Sequence, residues 1–179
     1  MVEIKNKSGF VLWFTGLPCS GKTTVADMLA KRLEELGRKI ERLDGDVLRE
    51  SLSSDLGFSK RDRYENIKRV TFVAKLLSRN GIGVITAFVS PYKDIRAEAR
   101  KETTNYIEIF VNCPLEICRE RDVKGMYKLA EEGKITDFTG ISSPYEEPEN
   151  PEITIYTDKE TPEESCVKIL KYLEVKKII

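Results

Sequence analysis

A phosphate-binding loop at residues 16–23 is the most informative pattern in the chain. It follows the spacing G-x-x-x-x-G-K-[ST], in which main-chain N–H groups bind phosphate oxygens. The lysine of such a loop reaches the terminal phosphates, and the threonine hydroxyl is a ligand of Mg²⁺. The pattern therefore predicts nucleotide chemistry, with these residues in the loop: Gly16, Leu17, Pro18, Cys19, Ser20, Gly21, Lys22 and Thr23.

The context of the loop supports a function. The apolar run at 10–14 predicts a buried strand before it, and a helix-period pattern follows over 24–36. The N-terminus of that helix adds the positive end of a dipole to the main-chain donors. A Gly-rich turn that carries a Lys and a Thr by chance would not need this setting. We therefore interpret the loop as functional.

Two carboxylates, Asp44 and Asp46, follow the second predicted strand and should lie beside the loop. The later apolar strand at 84–89 leads into Ser90 and Pro91 and brings no acid. Asp46 is therefore the best candidate to hold Mg²⁺ through water and to accept a proton from an attacking hydroxyl. The alternative is that Asp46 caps a helix starting at Val47. The two acids can also divide these roles.

A basic cluster lies downstream of these acids, and most of its members are expected to form a solvated helix face. Arg63 differs because Asn66 follows at i+3, on the same face near the helix start. A guanidinium beside an amide is a good clamp for phosphate or sulfate. The cluster consists of Arg49, Lys60, Arg63, Lys68 and Arg69.

Three further residues lie in loop-like sequence near these groups. Phe58 and Phe138 are either core anchors or the two sides of a sandwich around a base. The Ser90 hydroxyl is expected to point into the site as a nucleophile, an anion donor or a turn residue. The chain contains no histidine to activate a serine, so the nucleophile is the least favoured of the three.

Length and composition narrow the class of protein. The 179 residues suit one α/β domain over 1–179, and 30 basic residues balance 30 acidic ones. We therefore expect no nucleic-acid or membrane partner. No apolar run could span a bilayer and no signal-peptide pattern is present, so we expect a cytoplasmic protein. The four cysteines include no CxxC pair, and Cys113, Cys118 and Cys166 are predicted to be buried thiols.

Strand and helix patterns alternate along the chain, which predicts a parallel sheet with helices on both faces. Ligands of such sheets bind at the carboxyl ends of the strands. One long non-periodic segment, residues 122–151, predicts a lid. The remaining predicted strands are Ile40–Leu43, Val84–Val89, Tyr106–Val111 and Ile153–Tyr156, and the predicted helices are Thr24–Leu36, Arg61–Asn80, Leu115–Arg121 and one that opens with a capping box at 161–164.

In order and spacing, these motifs resemble the adenylyl-sulfate kinase (APS kinase) family from about Gly9 to Lys171. The resemblance extends the phosphate-binding loop to Thr24. The chain departs from the family pattern at Val47-Leu48 and in the spacing of Asp94-Ile95 before Arg96. The other matching segments are residues 43–46 with Arg49, 55–59, 62–66, 88–92, 122–127, 138–141 and 144–148.

This resemblance implies a P-loop NTPase-type fold and an activity. Such kinases use ATP and Mg²⁺ to phosphorylate the 3′-hydroxyl of adenosine 5′-phosphosulfate (APS), giving PAPS and ADP. It also implies a homodimer and a separate ATP sulfurylase upstream. We favour direct in-line transfer over a phosphoserine at Ser90. The implied roles are catalysis by Asp46, Lys22 and Ser90, metal binding by Thr23 and Asp46, and substrate binding by Asp46, Arg49, Phe58, Arg63, Asn66, Val89, Ser90, Lys124 and Phe138.

Other functions on a similar scaffold remain as alternatives. A kinase of shikimate, gluconate or a nucleoside monophosphate is the nearest, and the paired loop aromatics favour an acceptor that carries a base. A nucleotide switch is the second, but the Asn-Lys-x-Asp motif typical of GTPases does not occur. A nucleic-acid-end kinase fits the zero net charge poorly.

Overall fold

The central strand of the protein is covered on both faces, and all of its residues except the last, Thr15, are apolar. A computed structural model describes residues 9–179, and in it every residue of this strand, β1 (Phe10–Thr15), is buried. Parallel neighbours flank it on both sides, and the strand order is β2-β3-β1-β4-β5. The predicted fold class is confirmed. The other strands are β2 (Ile40–Asp44), β3 (Gly83–Ala87), β4 (Tyr106–Asn112) and β5 (Ile153–Tyr156).

Helices cover the two faces of the sheet in separate layers. The helix at residues 22–35 packs with the C-terminal helix at 162–175 on one face, and the helices at 60–78 and 93–102 pack together on the other. Gly37 and Gly81 have φ values of 75° and 81° just after two of these helices, as a helix stop requires. The helices are α1 (Lys22–Glu35), α2 (Gly45–Glu50), α3 (Lys60–Ser78), α4 (Lys93–Glu102), α5 (Leu115–Arg121), α6 (Met126–Glu131) and α7 (Pro162–Val175).

Several predicted features are confirmed. The bounds of α5 and β5 are those predicted, and α7 opens with the predicted capping box between Thr161 and Glu164. The three cysteines predicted to be buried thiols are buried and unpaired.

Among residues 9–179, the structure contains no helix with the length and apolarity that a bilayer crossing requires.

Two helices lie where the sequence predicted none. Residues 126–131 of the predicted non-periodic segment form α6, a helix too short to show a periodic pattern, so the segment is not a loop throughout. Charged residues dominate α4, and one of its three inward positions is Arg96. Because an arginine occupies a core position, the apolar stripe of α4 does not show in the sequence.

Arg96 forms a buried ion pair between α4 and the sheet. Its side chain is 3% exposed, and its Nε lies 2.9 Å from Oε1 of Glu108 on β4. Its two terminal nitrogens donate to the carbonyls of Ser90, at 2.6 Å, and Glu146, at 2.7 Å. One guanidinium therefore joins β4, the turn after β3 and the chain that leads into β5.

We predict that Arg96→Met lowers the free energy of unfolding by about 3–5 kcal/mol, because it removes the nearer partner of the buried Glu108 carboxylate, leaving only Arg100 at 3.6 Å, and takes the donor away from the Ser90 and Glu146 carbonyls. Denaturant titration measures the loss. Lys75→Met is the matched control, since it removes an exposed lysine that pairs with Glu102 and should change stability little. Equal losses in the two variants would contradict the assigned role of Arg96.

Candidate active site

The candidate site lies at the carboxyl edge of the sheet, where three neighbouring strands end. The phosphate-binding loop follows β1, Asp44 ends β2, and the turn at 88–92 follows β3. Because β1, β2 and β3 are parallel, their carboxyl ends meet at one edge. The sequence predicted this placement.

The phosphate-binding loop is a tight turn whose backbone needs small residues at two positions. Gly21 has a φ of 91°, in the left-handed region. A Cβ on Gly16 would lie 2.5 Å from the Val111 carbonyl oxygen, so only glycine fits there. The Lys22 ammonium donates to the carbonyls of Gly16, at 3.1 Å, and Leu17, at 2.6 Å. Burial lowers the pKa of Lys22 to about 8.

Two residues that the sequence reasoning missed support the loop from the side. Arg121, the last residue of α5, donates to the Thr157 carbonyl at 2.6 Å. The Thr157 hydroxyl donates in turn to the Ser20 carbonyl at 2.7 Å. Thr157 directly follows β5. Its position at the carboxyl end of a predicted strand could have identified it from the sequence as a candidate site residue.

Asp44 caps α2 and leaves Asp46 available for chemistry. Its Oδ1 accepts from the Asp46 N–H at 3.0 Å, and its Oδ2 accepts from the Thr23 hydroxyl at 3.2 Å. The helix begins at Gly45, so the alternative in which Asp46 caps a helix starting at Val47 is wrong. Asp44 thus contacts the hydroxyl that the loop motif assigns to Mg²⁺.

The predicted lid lysine lies over the candidate base. Lys124 Nζ is 2.5 Å from Oδ2 of Asp46, whose side chain is 75% exposed. This hydrogen bond raises the pKa of Lys124. The Tyr127 hydroxyl donates to the Pro18 carbonyl at 3.0 Å, so the start of α6 rests on the phosphate-binding loop. Asp46 and Lys124 therefore lie beside the place where a triphosphate would bind.

The three arginines of the basic cluster divide into two groups. Arg69 forms a two-point ion pair with Asp55, at 2.6 and 2.9 Å, and so stabilises the segment between α2 and α3. Arg49 donates to the Gly57 carbonyl at 2.9 Å and lies over the Phe58 ring, 4.3 Å from its centroid. Arg63 donates to the Phe58 carbonyl at 2.8 Å and to the Asp137 carbonyl. Arg49 and Arg63 are therefore the arginines of the cluster that contact the segment around Phe58, one of the two loop aromatics.

The two loop aromatics are brought towards each other by Arg63, which binds the main chain at Phe58 and beside Phe138. Phe58 is 52% exposed. Phe138 is half-buried and meets the Tyr127 ring edge to face, with centroids 4.9 Å apart. Asn66 is buried, and its Oδ1 has no hydrogen-bond partner among the described residues. Such an atom is costly unless a ligand supplies a donor.

The expected direction of the Ser90 hydroxyl is wrong. The side chain is 2% exposed, and its Oγ accepts from the Trp13 indole N–H at 3.1 Å. Trp13 is buried in β1, where its N–H needs an acceptor that apolar neighbours cannot supply. Ser90 has a φ of 44°, so the chain turns sharply there. The carbonyl of Val89 accepts from the Thr15 hydroxyl at 2.7 Å, which ties the same turn to β1.

A phosphate-binding loop between β1 and α1, acids after β2 and a lysine-bearing segment above them define a P-loop kinase. The sequence profile described as adenylylsulphate kinase matches residues 8–156. The chain belongs to the adenylyl-sulfate kinase family, whose members are ATP-dependent kinases.

Known members of the family are similar over most of the chain. A probable adenylyl-sulfate kinase of Pseudomonas aeruginosa is 60% identical over 91% of this chain and 76% of its own length. The adenylyl-sulfate kinase of Halothermothrix orenii is 52% identical over 97% of this chain and 94% of its own. The APS kinase of Mycobacterium tuberculosis, solved in complex with AMPPNP and APS, superposes with a TM-score of 0.90 at 42% identity, covering 93% and 98% of the two chains.

Asp44 caps α2 through Oδ1 and meets Thr23 and, at 3.6 Å, Arg42 through Oδ2, and we predict that the cap can be separated from the charge by mutation. Asp44→Asn keeps an oxygen to cap α2 but loses the charge, so it should weaken ATP turnover while leaving stability nearly unchanged. Asp44→Ala should in addition lower the free energy of unfolding by about 1 kcal/mol, because the cap is lost. Steady-state kinetics and denaturant titration test both. Full activity in the Asn variant would contradict a role beside the metal.

Proposed function

We propose that the protein transfers the γ-phosphate of ATP to the 3′-hydroxyl of adenosine 5′-phosphosulfate, giving PAPS and ADP. The observation that carries this proposal is the position of Asp46, which pairs with Lys124 and interacts electrostatically with both Lys22 of the phosphate-binding loop and Arg49. The acceptor has a base, a ribose hydroxyl and two anionic groups. Aromatic rings can stack on the base, a carboxylate can accept the proton of the hydroxyl, and arginines can bind the anionic groups. The related kinase solved with AMPPNP and APS supports the same pair of ligands.

On the ATP side, the residues of the loop bind and orient the triphosphate. Main-chain N–H groups of residues 16–24, except Pro18, which has none, donate to phosphate oxygens, and residues 22–24 of this set form the first turn of α1. The Lys22 ammonium exchanges its carbonyl partners for the terminal phosphates. Such positioning and charge neutralisation account for most of the catalysis of phosphoryl transfer.

The residues present fit a magnesium ion. Mg²⁺ prefers hard oxygen ligands, usually one or two carboxylates together with substrate phosphates and water. The Thr23 hydroxyl and the Asp44 carboxylate are in contact, and Asp46 lies two residues further on. We propose that Thr23 and Asp46 hold the ion, with Asp44 orienting Thr23. Bound there, Mg²⁺ would neutralise negative charge on the triphosphate.

On the acceptor side, Arg49 and Arg63 bind the phosphosulfate, and Phe58 and Phe138 stack on the adenine. Asn66 offers its buried Oδ1 to a hydroxyl or amino group of the acceptor. Val89 and Ser90 form the floor through their main chain. Lys124, which now pairs with Asp46, moves to the nucleotides as the lid closes.

The chemical step is a direct in-line transfer. The bond between the 3′-oxygen and the γ-phosphorus forms, the bond between that phosphorus and the leaving oxygen of ADP breaks, and Asp46 accepts the proton of the hydroxyl. The Ser90 hydroxyl accepts from Trp13 and is buried, which supports a transfer without a phosphoserine.

We predict that Asp46→Asn lowers kcat by at least about 100-fold, because the proton acceptor is lost, while the Kd for ATP changes little. Glu50→Gln, an exposed change on the same short helix, is the matched control and should behave as wild type. A coupled ADP-release assay and calorimetric titration provide the two measurements. Normal turnover in the Asn variant would remove Asp46 from the mechanism.

An acceptor panel separates the proposal from its rivals. With γ-labelled ATP, we expect transfer to adenosine 5′-phosphosulfate and essentially none to shikimate, gluconate or nucleoside monophosphates. The reason is that only an adenine nucleotide with two anionic groups satisfies both the aromatic loops and the arginines. Rapid ATP hydrolysis without any acceptor, and no response to adenosine 5′-phosphosulfate, would instead favour a nucleotide switch.

We also propose that residues 1–179 act as one domain with 122–151 as its lid, in a cytoplasmic homodimer. A separate ATP sulfurylase would supply the acceptor. Light scattering after gel filtration measures the mass of the assembly, for which a dimer of the 20.5 kDa chain is expected.

A further inference from the structure

Arg63 is held by the protein through three of its N–H groups. Its Nε donates to the Phe58 carbonyl at 2.8 Å, its Nη1 to the Thr139 hydroxyl at 2.7 Å, and its Nη2 to the Asp137 carbonyl. A guanidinium carries five N–H donors in a rigid plane. One N–H on each terminal nitrogen therefore remains for an anion, and the contacts to the protein decide how this pair is presented.

Thr139 is the only side chain among these three partners, and it is held firmly. The residue is 2% exposed although it lies in the predicted lid. The turn that contains it is closed by hydrogen bonds from the Gly140 N–H to the Ser143 carbonyl, at 2.9 Å, and from the Ser143 N–H to the Phe138 carbonyl, at 3.0 Å. The hydroxyl therefore offers Arg63 a fixed acceptor.

The contact joins parts of the site that are far apart in sequence. Arg63 and Thr139 are 76 positions apart, and the same guanidinium binds the carbonyl of Phe58 and that of the residue before Phe138. A rotation of Arg63 would alter its two remaining donors and the spacing of the two aromatic loops together. None of the three hydrogen bonds of Arg63 involves the phosphate-binding loop, which Phe138 approaches only through its packing with Tyr127 and neighbouring apolar side chains.

We propose that Thr139 is a positioning residue that sets acceptor affinity, by fixing the Arg63 guanidinium so that its remaining donors meet the acceptor's anionic groups. This inference rests on the proposed function. Charge alone does not provide this effect, because Arg63 stays ionised whether or not Thr139 binds it. What Thr139 adds is orientation, which reduces the freedom that Arg63 loses when the acceptor binds.

The test compares Thr139→Val, which keeps the shape but removes the hydroxyl, with Thr139→Ser, which keeps the hydroxyl. We expect the Val variant to raise the KM for adenosine 5′-phosphosulfate about tenfold, the size of one lost hydrogen bond to a charged group. Its KM for ATP should stay within about twofold of wild type. The Ser variant should restore most of the acceptor affinity.

A double-mutant cycle separates positioning from a general weakening of the lid. In an Arg63→Lys background the planar guanidinium with its paired N–H donors is already lost, so Thr139→Val should raise the acceptor KM little further. Thermal unfolding midpoints identify any variant that is only less stable. If the Val variant does not fold, Thr139→Ala against Thr139→Ser gives the same comparison.

The outcomes are distinguishable. If the wild-type protein does not phosphorylate adenosine 5′-phosphosulfate, the proposed function fails. If it does, but the Val and Ser variants share the wild-type acceptor KM, the inference about Thr139 is overturned while the proposed function stands. An equal rise in the KM for ATP and for the acceptor, or additive effects with Arg63→Lys, would also overturn it.

Discussion

The buried guanidinium of Arg96 is the interaction on which the proposed acceptor side of the site depends. A charge in the core must be both paired and fully hydrogen-bonded, or it destabilises the fold. Arg96 meets this condition only when Glu108, the Ser90 carbonyl and the Glu146 carbonyl all surround it. The turn after β3 and the chain leading into β5 therefore have one arrangement that the core accepts, and this fixes the floor of the site.

Arginines organise the other loops of the site in the same way. Loops lack the regular pairing of helices and strands, so their carbonyls need other donors. Arg49, Arg63 and Arg121 each donate to such carbonyls, at Gly57, at Phe58 and Asp137, and at Thr157. A planar group with several donors holds a loop and still has N–H groups left for a ligand. The two arginines of the proposed acceptor site, Arg49 and Arg63, thus also hold loop structure.

Much of the fold and part of the site were predictable because their signals are local. The phosphate-binding loop, the strand before it and the helix after it are consecutive in sequence, and the capping box of α7 spans four residues. The helix α4 was missed because Arg96 occupies a position where an apolar residue is expected. The helix α6 was missed because six residues do not establish a period.

The sequence by itself determined the parallel α/β architecture, the triphosphate loop and the edge of the sheet where chemistry takes place, since short-range patterns encode all three. The tertiary structure decided which way the Ser90 hydroxyl points, which acid caps α2 and what holds Arg63. Trp13 lies 77 positions from Ser90, and Lys124 lies 78 from Asp46. Hydrogen bonds over such separations follow from how the elements pack. The sequence around one partner does not indicate which residue the other partner is.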